Sequence, residues 1–117
     1  MESYSDLLQE FLEHEAIGGI EYIAPGDLRT IMERYLRACR ELGYEAHKLG
    51  EGELRAVMET SLPALYSPAE PIGQRTIDVL RTFLTFLEPR FGRDRSRALG
   101  VVLEDCAEPF RARIRGE

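Results

Sequence analysis

Two histidines, two cysteines, twenty-one acids and fifteen bases are the groups with chemistry to offer in this 117-residue chain. Zinc sites need closely spaced ligand pairs, yet His14, Cys39, His47 and Cys106 are scattered singly. Glu10 and His14 share a helix face at i,i+4, but a di-metal bundle uses Glu-x-x-His on two helices. Neither cysteine has a histidine nearby in sequence. Both fall within apolar helical stripes, where a thiol packs as a small hydrophobe. The serines fall at caps and turns, where hydroxyls serve the backbone. No Gly-x-Ser-x-Gly, P-loop or dinucleotide fingerprint occurs. Neighbouring carboxylates such as Glu104 and Asp105 point in different directions on a helix, so no pair is set to share a proton. The expectation is a non-enzymatic protein without metal or cofactor.

Arginine is the remaining candidate, supplying fourteen of the fifteen bases. Arg90, Arg93, Arg95 and Arg97 cluster at one junction, and Arg111, Arg113 and Arg115 close the chain. Such groups neutralise phosphates, which makes nucleic acid a candidate partner. A net charge of −6 disfavours it. The charge is also unevenly placed. Residues 1–27 hold seven acids and no lysine or arginine, leaving fourteen acids against all fifteen bases in the rest. This split suggests the acids of the first segment packing near arginines 90–97, within one chain or across a dimer.

The elements that must position these groups are legible as apolar residues three and four apart. A first helix carries Tyr4, Leu7, Leu8, Phe11 and Leu12, ending at Gly18-Gly19. Pro25-Gly26-Asp27 is a turn with Asp27 as a plausible N-cap, and a second helix runs to Gly43. Its stripe is Leu28, Ile31, Met32, Tyr35, Leu36, Cys39 and Leu42, with Arg29, Arg34, Arg37 and Arg40 opposite. A third helix from about Glu51 carries Leu54, Val57, Met58 and Leu62, and Pro63 must kink or end it. The fourth, from about Ile72 to Glu88, is the most apolar; its apolar arc is wider than the ~100° a surface helix needs. The fifth starts near Asp94 or Ser96, with Leu99, Val102, Leu103, Cys106 and Phe110 as its stripe, and Pro109 disturbs its end.

These elements predict a single all-α domain over residues 1–117, a compact bundle of about five helices. The segment 28–87 is similar in helix pattern to the N-terminal core-binding domains of tyrosine recombinases. Tyr35-Leu36 and the run Thr76-Ile77-Asp78-Val79-Leu80-Arg81-Thr82-Phe83-Leu84-Thr85-Phe86-Leu87 carry that likeness. It includes no diagnostic residue and does not amount to membership.

No segment has the length and apolarity of a membrane span, and no secretory signal is visible. Two cysteines inside apolar stripes suit a reduced, cytoplasmic protein. The expected function is a protein-interaction domain, an adaptor, regulatory or accessory protein whose partner is another protein or a second copy of itself. Its candidate interface is Val79 and Phe86 on the over-wide fourth helix, with Val101 lying off the fifth stripe beside Gly100. A helix-interior glycine costs ~1 kcal/mol relative to alanine, and a close contact would account for it.

Overall fold

The computed structural model describes residues 9–11, 24–45, 48–67 and 70–115. Among them no strand occurs, and the chain is a small all-α bundle. The radius of gyration, 13.2 Å, matches the ~13 Å of a compact domain this size.

Helix α1, Pro25–Glu41, begins two residues before the expected cap, with Ala24 at the N-cap and Pro25 in its first turn. Proline needs no amide partner there and its φ is already helical. Asp27 sits in the first turn, where its charge favours the exposed amides. The helix closes in a Schellman motif. Gly43, at φ +80°, donates to the Arg40 carbonyl, and Tyr44 donates to Cys39, both at 2.9 Å. Leu42, expected in the stripe, lies at the C-cap and is 37% exposed, because the chain leaves the helix there.

Helix α2, Glu51–Ala56, starts with the Gly50 amide bonded to Glu53 Oε1 at 3.0 Å. It widens into a π-helical turn, Val57–Ser61, and then tightens into a 3-10 turn, Pro63–Leu65. Pro63 causes the change by offering no amide to the carbonyls one turn back. Leu62 bonds Val57 across five residues instead, and the Glu59 carbonyl accepts from Arg113.

A 3-10 stretch, Pro71–Arg75, leads into α3, Thr76–Phe86. Seven of its eleven residues are buried, which places it at the centre of the bundle. A short α4, Glu88–Phe91, and Gly92 at φ +87° reverse the chain into α5, Arg93–Ile114. Pro109 does not disturb the end of α5. It lies on the exposed side, where the carbonyl it leaves without an amide, that of Asp105, can face water.

One apolar core joins all of these. Phe11 is fully buried with its ring 5.1 Å from Phe83 and 5.2 Å from Phe86, and Tyr35 meets Phe83 at 5.8 Å. Gly73 lets the end of α5 come close: a Cβ there would lie 2.5 Å from Ile114 Cδ1. A polar staple joins α1 to the 66–76 segment. Arg34 bonds Glu70 at 3.0 Å and covers the Tyr66 ring at 4.7 Å. The Thr76 hydroxyl donates to Ile72, so the Tyr66 hydroxyl, 2.6 Å from Thr76 Oγ1, is the donor of that pair.

Candidate interaction surface

Helices α3 and α5 run antiparallel, as two cross-contacts fix. The buried Ser96 hydroxyl donates to the Leu84 carbonyl at 3.0 Å, and Arg81 Nε donates to Glu104 at 2.7 Å. The Leu84 carbonyl belongs to the last turn of α3, where intrahelical amides run out, so Ser96 satisfies a group that burial would otherwise strand.

Between these helices, on the face away from the core, lies a cleft of about 420 Å³. Leu84, Ser96 and Gly100 form its floor, and Arg81, Glu88, Arg93 and Arg97 its walls. Gly100 lines the cleft, and a Cβ built there would stand in open space with nothing within 4 Å. Val101 stands beside it at 57% exposure, the most exposed large apolar side chain among the described residues.

The cleft's charges are largely paired. Arg81 bonds Glu104 Oε1 through Nη2 at 2.6 Å and Asp78 through Nη1 at 3.0 Å. The Glu104 hydrogen bond is the main influence holding its guanidinium even more firmly protonated than usual. Arg93 Nε lies 3.7 Å from Glu88. Arg97 has no ion-pair partner among the described residues.

The arginines expected to act together are dispersed. Arg93 and Arg97, four apart, share the cleft, whereas Arg95 points the other way and donates through Nη2 to the carbonyls of Lys48 (2.8 Å) and Leu49 (2.6 Å). The side chain of Arg90 falls outside the described part of the structure. Near the C-terminus, Arg113 serves the Glu59 carbonyl, Arg115 bonds Glu108 at 3.2 Å, and Arg111 is half-buried. No single patch gathers the described members of the set.

The candidate interface divides as well. Val79 and Phe86 are buried within the chain, so neither is available to a partner in this fold. The wide apolar arc of α3 is covered by α1, α5 and Phe11 instead. Gly100 and Val101 do lie at the surface. Of the acids in residues 1–27, all but Glu10 and Asp27 fall outside the described residues, as do His14 and His47, so the expected contact of that segment with arginines 90–97 does too.

A second, smaller cavity of about 190 Å³ is lined by Met58, Pro109, Phe110, Arg113 and Cys106. Burial pushes the Cys106 thiol up from its ordinary pKa, with Arg55 opposing the shift. Arg55 Nη1 approaches the sulfur at 3.9 Å.

The Arg81–Glu104 pair was missed by sequence reasoning. Asp78 and Arg81, three apart on a helix, carry half of that signal. Glu104 lies twenty-three positions further on and becomes a neighbour only through the antiparallel return. No family model, curated protein or solved structure matches this chain.

Proposed function

We propose that this chain is a small, non-enzymatic protein-interaction module whose contact surface is the outer face of the α3–α5 hairpin. The observation that carries the reading is Val101, standing exposed on the ridge of α5 beside the Gly100 cleft. An exposed valine alone is ordinary. Set next to a concave, partly apolar hollow and the cation Arg97, it makes a surface with shape, an apolar anchor and a polar rim, the anatomy of protein interfaces. Two free, buried thiols support a reducing, cytoplasmic setting. No described helix is long and apolar enough to cross a membrane.

The test is affinity capture from host lysate with wild-type, Val101→Glu and Arg97→Glu baits, with and without nuclease. Both substitutions are on the surface and should leave the melting temperature unchanged. A stoichiometric protein retained by wild type after nuclease and lost by both variants supports the reading. A bound set identical for all three baits overturns it.

A second reading rests on Arg93 and Arg97 sharing one cleft, namely contact with a nucleic-acid phosphate backbone. It requires affinity for DNA or RNA that falls steeply with salt. Its slope should drop by about one on removal of each engaged arginine.

A further inference from the structure

We infer that the occupant of this surface is a second copy of the chain, crossing α5 against α5 about a two-fold axis between Gly100 and Val101. The inference rests on the protein-interaction reading and names the partner.

Residues 97, 100, 101 and 104 form the four-residue rhombus through which one helix meets another. Val101 is the projecting member, and Gly100 is the depression, with open space where its Cβ would be. A two-fold axis between them seats each Val101 over the other copy's Gly100. The same axis brings Arg97 opposite Glu104 of the second copy, twice. That pairing gives Arg97 the carboxylate it lacks among the described residues of its own chain. Glu104 can serve both partners, because the bonds it receives from Arg81 go to Oε1.

Isologous contacts need one self-complementary patch, and this one supplies projection, hollow, cation and anion within two helical turns. The same axis sets Arg93 opposite Glu108 of the second copy, so the flanks of the face carry opposite charges as well. The contact engages one helix from each copy. Such a small contact belongs to the weak end of interfaces, with a dissociation constant of about 10–100 µM.

The experiment is sedimentation equilibrium on the full chain from about 1 to 200 µM, bracketing that constant. Wild type should shift from monomer to dimer, and more weakly in high salt. Val101→Glu and Gly100→Leu should each weaken the dimer at least about ten-fold, by charging the projection and filling the hollow. Arg97→Glu should weaken it about ten-fold, counted over two symmetric pairs, and Arg97→Lys, which keeps the charge, should retain most of the affinity. Gly100→Ala gives a sharper separation. It should raise the melting temperature by roughly 4 °C through helix propensity while loosening the dimer, a combination that general destabilisation cannot produce.

A wild-type protein monomeric throughout overturns the inference, and so does a dimer unmoved by Gly100→Leu and Arg97→Glu. Neither result decides the broader reading, which the lysate capture tests through loss of a different protein from the Val101→Glu bait.

Discussion

A thiol that never meets water behaves as a methyl group, and Cys39 is such a residue, fully buried in the stripe of α1. Burial pushes its pKa up to about 12, with a Tyr35 hydrogen bond opposing the shift. At pH 8 about one thiol in ten thousand is then the reactive thiolate. Cys106 is raised too, but it borders the smaller cavity and has Arg55 beside it. Iodoacetamide at pH 8 should therefore modify Cys106 in the native protein well before Cys39, and both alike in guanidinium; equal native rates would contradict this environment. Glu70 is shifted the opposite way, held below the ordinary carboxylate range by the Ser67 amide first and by Arg34 after it. A depressed folded pKa gives stability that is complete above the unfolded value, here near 4.5, and is lost as pH falls through the lower folded value. Glu70→Gln forgoes that contribution at every pH. The stability gap between wild type and Glu70→Gln, from urea denaturation, should hold constant from pH 7 to 5 and narrow between pH 4.5 and the acid limit. A gap that widened on acidification would reverse the sign.

At the scale of elements, the arginines act as braces for irregular backbone. Arg113 reaches from α5 to the Glu59 carbonyl in the π-helical turn, beside the residue that withholds an amide, Pro63. Arg113→Ala should cost about 1 kcal/mol in denaturant titrations, the net worth of an exposed charged hydrogen bond. Pro63→Ala, by returning an amide to that turn, should make the Arg113→Ala loss smaller in the double variant; strict additivity would refute the coupling. The stripes of α1, α3 and α5 were legible in the sequence because burial on one face imposes the 3.6-residue period directly. The fate of Arg95 was half legible. Two positions from Arg93 and Arg97 it must face elsewhere, but that Lys48 and Leu49 carbonyls await it depends on a loop packing forty-six residues away in sequence. Val79 and Phe86 were misplaced for a related reason. The width of an apolar arc counts the neighbours a helix needs, not whether they come from its own chain. Here Phe11 and α5 supply them. Gly100 and Val101 were recognisable as exceptions to their helix's own pattern. The Arg81–Glu104 pair was not, because it exists only once α3 and α5 have been laid side by side.

For the molecule as a whole, the question is whether residues joined so late in space melt as one unit. Phe11 answers it, since its ring is wedged between Phe83 and Phe86 of the central helix yet comes from a segment remote in sequence. If that segment were an ornament on an independent core, Phe11→Ala would leave the main transition where it is. Full burial argues otherwise. Removing the ring opens a cavity in the aromatic cluster, at a cost of about 3–5 kcal/mol. A domain of this size is stable by about 5–15 kcal/mol in total, so the loss takes a large share. The expected result is one cooperative transition, shifted down bodily and reported identically by far-ultraviolet circular dichroism and tyrosine fluorescence. Leu80→Asp, which places an unpaired charge where Leu80 is 2% exposed, should remove the transition altogether. A Phe11→Ala protein that kept its wild-type midpoint, alongside an unfolded Leu80→Asp, would confine the cooperative unit to residues after 24. A single transition lowered as a whole by Phe11→Ala would extend it to Phe11 and make the aromatic cluster the junction that ties that residue into the stability of the bundle.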